Sequence, residues 1–175
     1  MTQGTLRERA DVRADEIIRL LEEQESSKIR SMDLVEQKAS SLALRDAYFM
    51  ARMPVTRQLI CDLIGRQRDS TNLHTLLHAL DDCLVGVRAS AADAIGKIFG
   101  YVDRPPLDRR EEVLARLMVA WHAEKSDDVR STLVQTLALL GDARVVPLLR
   151  ELLGDSSARI RTQARWGLRF LGALK

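Results

Sequence analysis

Two histidines one helical turn apart, His74 and His78, with Asp82 and Cys83 close behind, are the chain's nearest approach to a metal-ligand cluster. Imidazoles at i and i+4 share a helix face and can converge on one ion. The stretch NLHTLLHALDDC has no HExxH core, however, and reads as a solvated histidine pair, so no metal is expected. Nucleophilic chemistry finds no support either, since there is no GxSxG elbow, no CxxC, no GxxxxGK[ST] loop and no GxGxxG following a strand. Scattered Asp and Glu fall on charged helix faces, where spacing alone joins no pair for general acid–base work. Neither catalytic residues nor a cofactor are expected.

A different chemistry gathers in SSARIRTQARWGLRFLGALK. There Trp166 stands between Arg165 and Arg169, with Arg161 one turn further back and Phe170 nearby. An indole with flanking guanidiniums is the composition of binding hot spots, and it would equally stack a base or hold a phosphate. The competing expectation is that a last helix closes the core with its own aromatic side chain.

The elements that carry these residues repeat. PVTRQLICDLIG, VGVRASAADAIGKI, DDVRSTLVQTLALL and ARIRTQARWGLRFL are anchored on Arg57, Arg88, Arg130 and Arg161, which stand 31, 42 and 31 residues apart. Three, seven and ten places after each anchor lie Ile60, Ile64, Gln67; Ala91, Ile95, Ile98; Leu133, Leu137, Leu140; and Ala164, Leu168, Leu171. Only Gln67 breaks this apolar helical stripe. Counting back fifteen, twelve and eight gives Leu42, Arg45, Phe49; Leu73, Leu76, Leu80; Ala115, Met118, His122; and Val146, Leu149, Leu153, with Arg45 and His122 as exceptions. Two amphipathic helices per period are therefore predicted, and strands are not. The anchors Arg88, Arg130 and Arg161 follow Asp82, Glu124 and Asp155 by six residues, a spacing that predicts an arginine–carboxylate ladder within or between units.

LLGDSSARIRTQARWGLRFLG, LDDCLVGVRASAADAIGKIFG and LALLGDARVVPLLRELLGD resemble HEAT-like repeats of the short bacterial type, in which an Asp-rich turn precedes a Val/Ile-Arg pair and a small-residue helix. The resemblance runs from about Leu73 to Leu171, more weakly back to Arg57. It implies an all-α fold, an α-solenoid of about four helix pairs with first helices convex and second helices concave. The expected organisation is a single domain, 1–175, with an N-terminal cap helix in 1–30 and helix pairs at 31–66, 71–99, 107–140 and 143–172. One helix is expected from about Ser31 to Met53, ended by Pro54. The surplus of the long interval lies in GYVDRPPLDRRE, where Pro105 and Pro106 oppose helix, and it is either a functional loop or a connector that re-aims the next helix.

The net charge of +2 demands no polyanion, and 46% hydrophobic residues suffice for a continuous core. Lysine occurs only at Lys28, Lys38, Lys97, Lys125 and Lys175, so the other basic residues are all arginine. No apolar run approaches the ~20 residues that cross a bilayer. Unpaired Cys61 and Cys83 fit a reducing interior, and the charged start MTQGTLRERADVRADE has no signal-peptide core, so a cytoplasmic location is expected.

On the concave side the exposed positions would be Gln58, Asp62, Ser90, Asp93, Lys97, Ser131, Gln135, Thr162 and Trp166, a mixed surface that turns basic in the last unit. That gradient suits a protein or peptide better than a long nucleic acid, which favours a continuous basic track. The expected function is a non-enzymatic adaptor, regulator or immunity-like scaffold binding a protein through Asp93, Lys97, Gln135, Arg161, Arg165, Trp166, Arg169 and Phe170. Two alternatives come from the resemblance. One is a nucleic-acid binder related to the alkylpurine DNA glycosylases, for which Trp166 and Trp121 are the only candidate aromatics. The other is a subunit like those of bilin lyases, for which no bilin site is legible.

Overall fold

The computed structural model describes residues 12–22, 28–100 and 107–174. Ten α-helices occur among them: α1 (Ala14–Glu22), α2 (Lys28–Lys38), α3 (Ser41–Met50), α4 (Pro54–Gln67), α5 (Leu73–Ala79), α6 (Val85–Phe99), α7 (Leu107–Ala123), α8 (Asp127–Leu139), α9 (Val146–Glu151) and α10 (Ala158–Phe170). No strand occurs among these residues. The second helices α4, α6, α8 and α10 pack side by side in chain order as one layer, and the first helices α3, α5, α7 and α9 each lie against their own second helix. The result is an α-solenoid with a continuous apolar core.

The forward stripe accounts for that inner layer. Ile60, Ile64, Ala91, Ile95, Ile98, Leu133, Leu137, Leu140, Ala164 and Leu168 are all buried. Gln67 fits as a polar member because its amide donates to the carbonyl of Ala39 at 2.8 Å, tying α4 to the end of α2. Small residues let the layer close tightly. A Cβ placed on Gly65 would lie 2.9 Å from the Cα of Ala94, and one on Gly167 would lie 2.8 Å from the Cβ of Ala138. The Thr136 hydroxyl donates to the carbonyl of Ala92 at 2.8 Å across the buried α6–α8 seam.

Two expectations are corrected, and a third, that Pro54 separates two helices, holds. The helix expected over Ser31–Met53 is two helices, broken at Ala39–Ser40, where Ser40 is extended and its hydroxyl caps the Ala43 amide. Pro54 is the first residue of α4, the position that proline tolerates best. The N-terminal region is consequently a further pair, α1 against α3 and α2 against α4, instead of one cap helix.

The backward stripe also slips by about a residue in two units. In α3 the buried face is Ala43, Leu44, Ala47 and Tyr48, while Leu42 and Phe49 are more than half exposed. In α7 it is Val113, Leu114, Leu117, Ala120 and Trp121, leaving Ala115 and His122 in solvent. Counting back from the anchor fails wherever the inter-helix turn changes length, because one residue rotates a helix by about 100°.

Ser90 and Ser131, expected on the open face, are buried in the seams between second helices. Their small side chains permit the close approach there. Tyr101, Pro105 and Pro106, together with the start of the chain through Asp11, lie outside the described residues.

Candidate functional site

The anchor arginines build a ladder that runs between units. Arg57 Nε and Nη2 reach the two carboxylate oxygens of Asp82 at 2.7 and 3.1 Å. Arg88 grips Glu124 in the same way at 2.7 and 3.0 Å, and Arg130 Nη2 meets Asp155 at 3.1 Å. The fork is a planar match for a carboxylate, which lysine would not supply. Each acid also caps its own turn. Asp82 accepts from the Leu84 amide, Glu124 from Lys125 and Ser126, and Asp155 from Ser157.

The remaining guanidinium nitrogen faces backward. Nη1 donates to the carbonyls five and six residues earlier in Arg57 (Arg52, Ala51), Arg88 (Cys83, Asp82) and Arg161 (Ser156, Asp155). Arg130 departs from this pattern. Its guanidinium lies 4.5 Å over the Trp121 ring, a cation–π contact made across the unit's own turn.

The ladder sets the ionisation of its acids. The Arg88 fork holds the Glu124 carboxyl below the usual range despite partial burial. At Asp82 burial opposes ionisation, but the Arg57 fork and the Leu84 amide together outweigh it, and the carboxyl is again held low.

A second feature runs along the opposite side of the same helices. Five and nine residues after the anchors stand Asp62 and Arg66, Asp93 and Lys97, Gln135 and Leu139, and Trp166 and Phe170. Each pair is one helical turn apart. Asp93 and Lys97 form an ion pair at 2.6 Å. Trp166 and Phe170 stack at 5.2 Å between centroids with planes 19° apart, and they remain 37% and 45% exposed. The stripe passes from charged to aromatic over four units.

The structure therefore groups the expected residues unevenly. Arg165, Trp166, Arg169 and Phe170 are together and exposed on α10, and no ion pair to either arginine occurs among the described residues. Asp93 and Lys97 satisfy one another on α6, and half-buried Gln135 lies between them and α10 on α8. Arg161 points into its own turn through Nη1 and is a ladder member first. Trp121 is buried beneath Arg130, which removes it from the aromatics available to a ligand.

Sequence reasoning overlooked two surfaces. Phe49, Met50, Met53 and Val55 form an exposed apolar patch at the α3–α4 turn, where Phe49 meets the His78 ring at 5.3 Å. The signal was present as an apolar run, FMARMPV, of which the backward count from the anchor assigns Phe49 to the core. Arg116, on α7, reaches Asp81 at 2.7 Å beside a cleft of about 290 Å³ lined also by His74, His78 and Glu112. Among the described residues no group of His, Cys, Asp and Glu is arranged to hold a metal ion.

Stacked helix pairs with an inter-unit arginine ladder define a helical-repeat protein. Residues 114–173 match the family model described as HEAT repeats, which supports a HEAT-like repeat family for that part of the chain. Among solved structures, the X-ray structure of Escherichia coli YibA superposes with a TM-score of 0.70 at 18% identity, over 92% of this chain and 59% of that one. The chain thus spans less than two thirds of the YibA chain, and the likeness shows the fold alone. No curated protein matches the sequence.

Proposed function

We propose that this chain is a non-enzymatic interaction module whose second-helix face, and above all α10, binds another protein. The observation that carries the reading is the Trp166–Phe170 stack, exposed between Arg165 and Arg169 at the end of an otherwise polar stripe. Aromatic side chains held by stacking lose little entropy on docking, and arginine beside them contributes both charge and planar contact. The basic character is confined to one helix. A nucleic-acid track would need more, and the buried position of Trp121 leaves one indole instead of two for base stacking.

Cys61 and Cys83 are both free thiols, in keeping with a cytoplasmic setting. No helix among the described residues is long and apolar enough to cross a membrane.

The test is affinity capture from native cells with the wild-type chain and with Trp166→Ala/Arg165→Ala. A protein retained by the first and released by the second, with both chains melting at the same temperature, supports the reading. An unchanged partner set removes α10 from it.

A further inference from the structure

The turns between first and second helices line one edge of the stack, and along it the chain changes character. Four, three and two places before the anchors stand Met53, Pro54, Val55; Leu84, Val85, Gly86; Ser126, Asp127, Asp128; and Ser157, Ala158, Arg159. The first two turns are apolar and the last two are polar. Met53 and Leu84 hold the N-cap positions of α4 and α6, where α8 and α10 carry serine, and neither can offer the free backbone amides a side-chain acceptor. Burial does not offset that loss, since Met53 is 53% and Leu84 36% exposed, with Val55 and Val85 exposed beside them. Packing therefore does not account for these two side chains.

The two apolar turns lie side by side. Arg57, in the first turn of α4, reaches Asp82 at 2.7 Å and the Cys83 sulfur at 4.0 Å, so the α5–α6 turn sits against the start of α4. Phe49 and Met50, from the last turn of α3, widen the same surface. Packed helices stand about 8–10 Å apart, so Met53 and Leu84 are separated by about the rise of two helical turns. The patch has α1 and α2 on one side and α7 and α8 on the other, and its exposure is a property of the middle of the stack.

The charges around it favour an acidic occupant. Asp46 is held by Arg45, Asp82 by Arg57 and Asp81 by Arg116. On the flank facing α1, Glu22 accepts from the buried Thr56 hydroxyl. Exposed Arg52, inside the FMARMPV run, has no ion pair among the described residues. The N-termini of α4 and α6 open on the same edge and add partial positive charge. A twofold pairing of two copies through this patch would bring Arg52 towards its own counterpart. An anionic bilayer would meet the carboxylates of Asp46 and Asp81, which stay 47% and 65% exposed.

We infer that this edge is a second docking surface, separate from α10, and that its occupant is an acidic amphipathic helix of a partner protein. One apolar side chain of that helix rests on Phe49, Met53 and Val55, and another, two turns away, rests on Leu84 and Val85. An Asp or Glu at its rim meets Arg52. Methionine suits such an occupant because the flexible thioether conforms to different apolar shapes.

The experiment selects a displayed library of random peptides on the full chain and counter-selects on Phe49→Ser/Met53→Ser, two exposed substitutions expected to leave the melting temperature in place. Should that variant melt early, Leu84→Ser takes its place. Survivors are expected to carry apolar residues at helical spacing with Asp or Glu beside them, and to bind wild type about tenfold or more tightly than the variant. Arg52→Glu should weaken the same peptides about tenfold and favour versions with Lys in place of their acids. Trp166→Ala/Arg165→Ala should leave them unaffected, so failure here does not touch the reading of α10. An empty selection, survivors that are basic or lack the apolar spacing, or binding indifferent to Arg52→Glu overturns the inference. So does self-association of the chain alone, or pelleting with phosphatidylserine–phosphatidylcholine vesicles, that Phe49→Ser/Met53→Ser abolishes, since either assigns the patch to a different occupant.

Discussion

Truncating Arg88 to alanine separates a structural ladder from a decorative one. The side chain is 19% exposed and its partner Glu124 only 6%, so the pair lies between the surface and buried limits. Exposed ion pairs contribute about 0–1 kcal/mol, whereas stripping one member of a fully buried pair costs about 3–5. Arg88→Ala abandons a bidentate contact at 2.7 and 3.0 Å and two turn carbonyls, and leaves Glu124 nearly buried without its counter-charge. A loss of about 2–3 kcal/mol follows. For a chain of this size each kcal/mol moves the melting temperature by about 2–4 °C, so a fall of roughly 5–10 °C is expected by circular dichroism. Arg88→Lys should lose part of this, because an ammonium keeps the charge without the fork. A double-mutant cycle with Glu124→Gln should give a coupling of about 1–2 kcal/mol. An Arg88→Ala chain that melts within about 1 °C of wild type, or a cycle that is additive, would show that the ladder does not hold the units together.

Other expectations follow from the same packing and charges. Glu124 and Asp82 carboxyls sit below their ordinary values of 4.5 and 3.8, so their contribution is complete above those values and is lost as pH falls through the depressed ones. The melting temperature should be level near neutrality and drop below about pH 4, with a shallower drop in Arg88→Ala; an equal drop in both chains would contradict the assignment. Gly65→Ala gains about 1 kcal/mol of helix propensity but drives a methyl against the Ala94 backbone at 2.9 Å, so denaturant titration should show net destabilisation of about 1–2 kcal/mol. Titration with a thiol reagent should modify exposed Cys83 quickly and buried Cys61, whose thiol burial pushes up, only on unfolding; simultaneous reaction of both would place Cys61 wrongly. Trp166→Ala should cost under about 1 kcal/mol by urea unfolding, whereas Trp121→Ala should cost about 3 or more.

The repeat, the helical class and the inner face of every second helix were legible from four arginines and the apolar positions that follow them. A helix-period pattern is local, and within an unbroken helix its register cannot drift. The pairing of acid with arginine was legible as a spacing, but that spacing points to each arginine's own turn. The carboxylate that each one grips belongs to the next, and only stacking in space decides which turn lies within reach of a guanidinium. The same reason explains Phe49 and Leu42. An inter-helix turn of altered length rotates the first helix, and whether its apolar residues face the core or the solvent then depends on the neighbour it meets. Trp166 was conspicuous by composition alone. That it stands exposed against Phe170, while Trp121 lies hidden under Arg130, was settled by what packs above each ring, and linear order does not encode that.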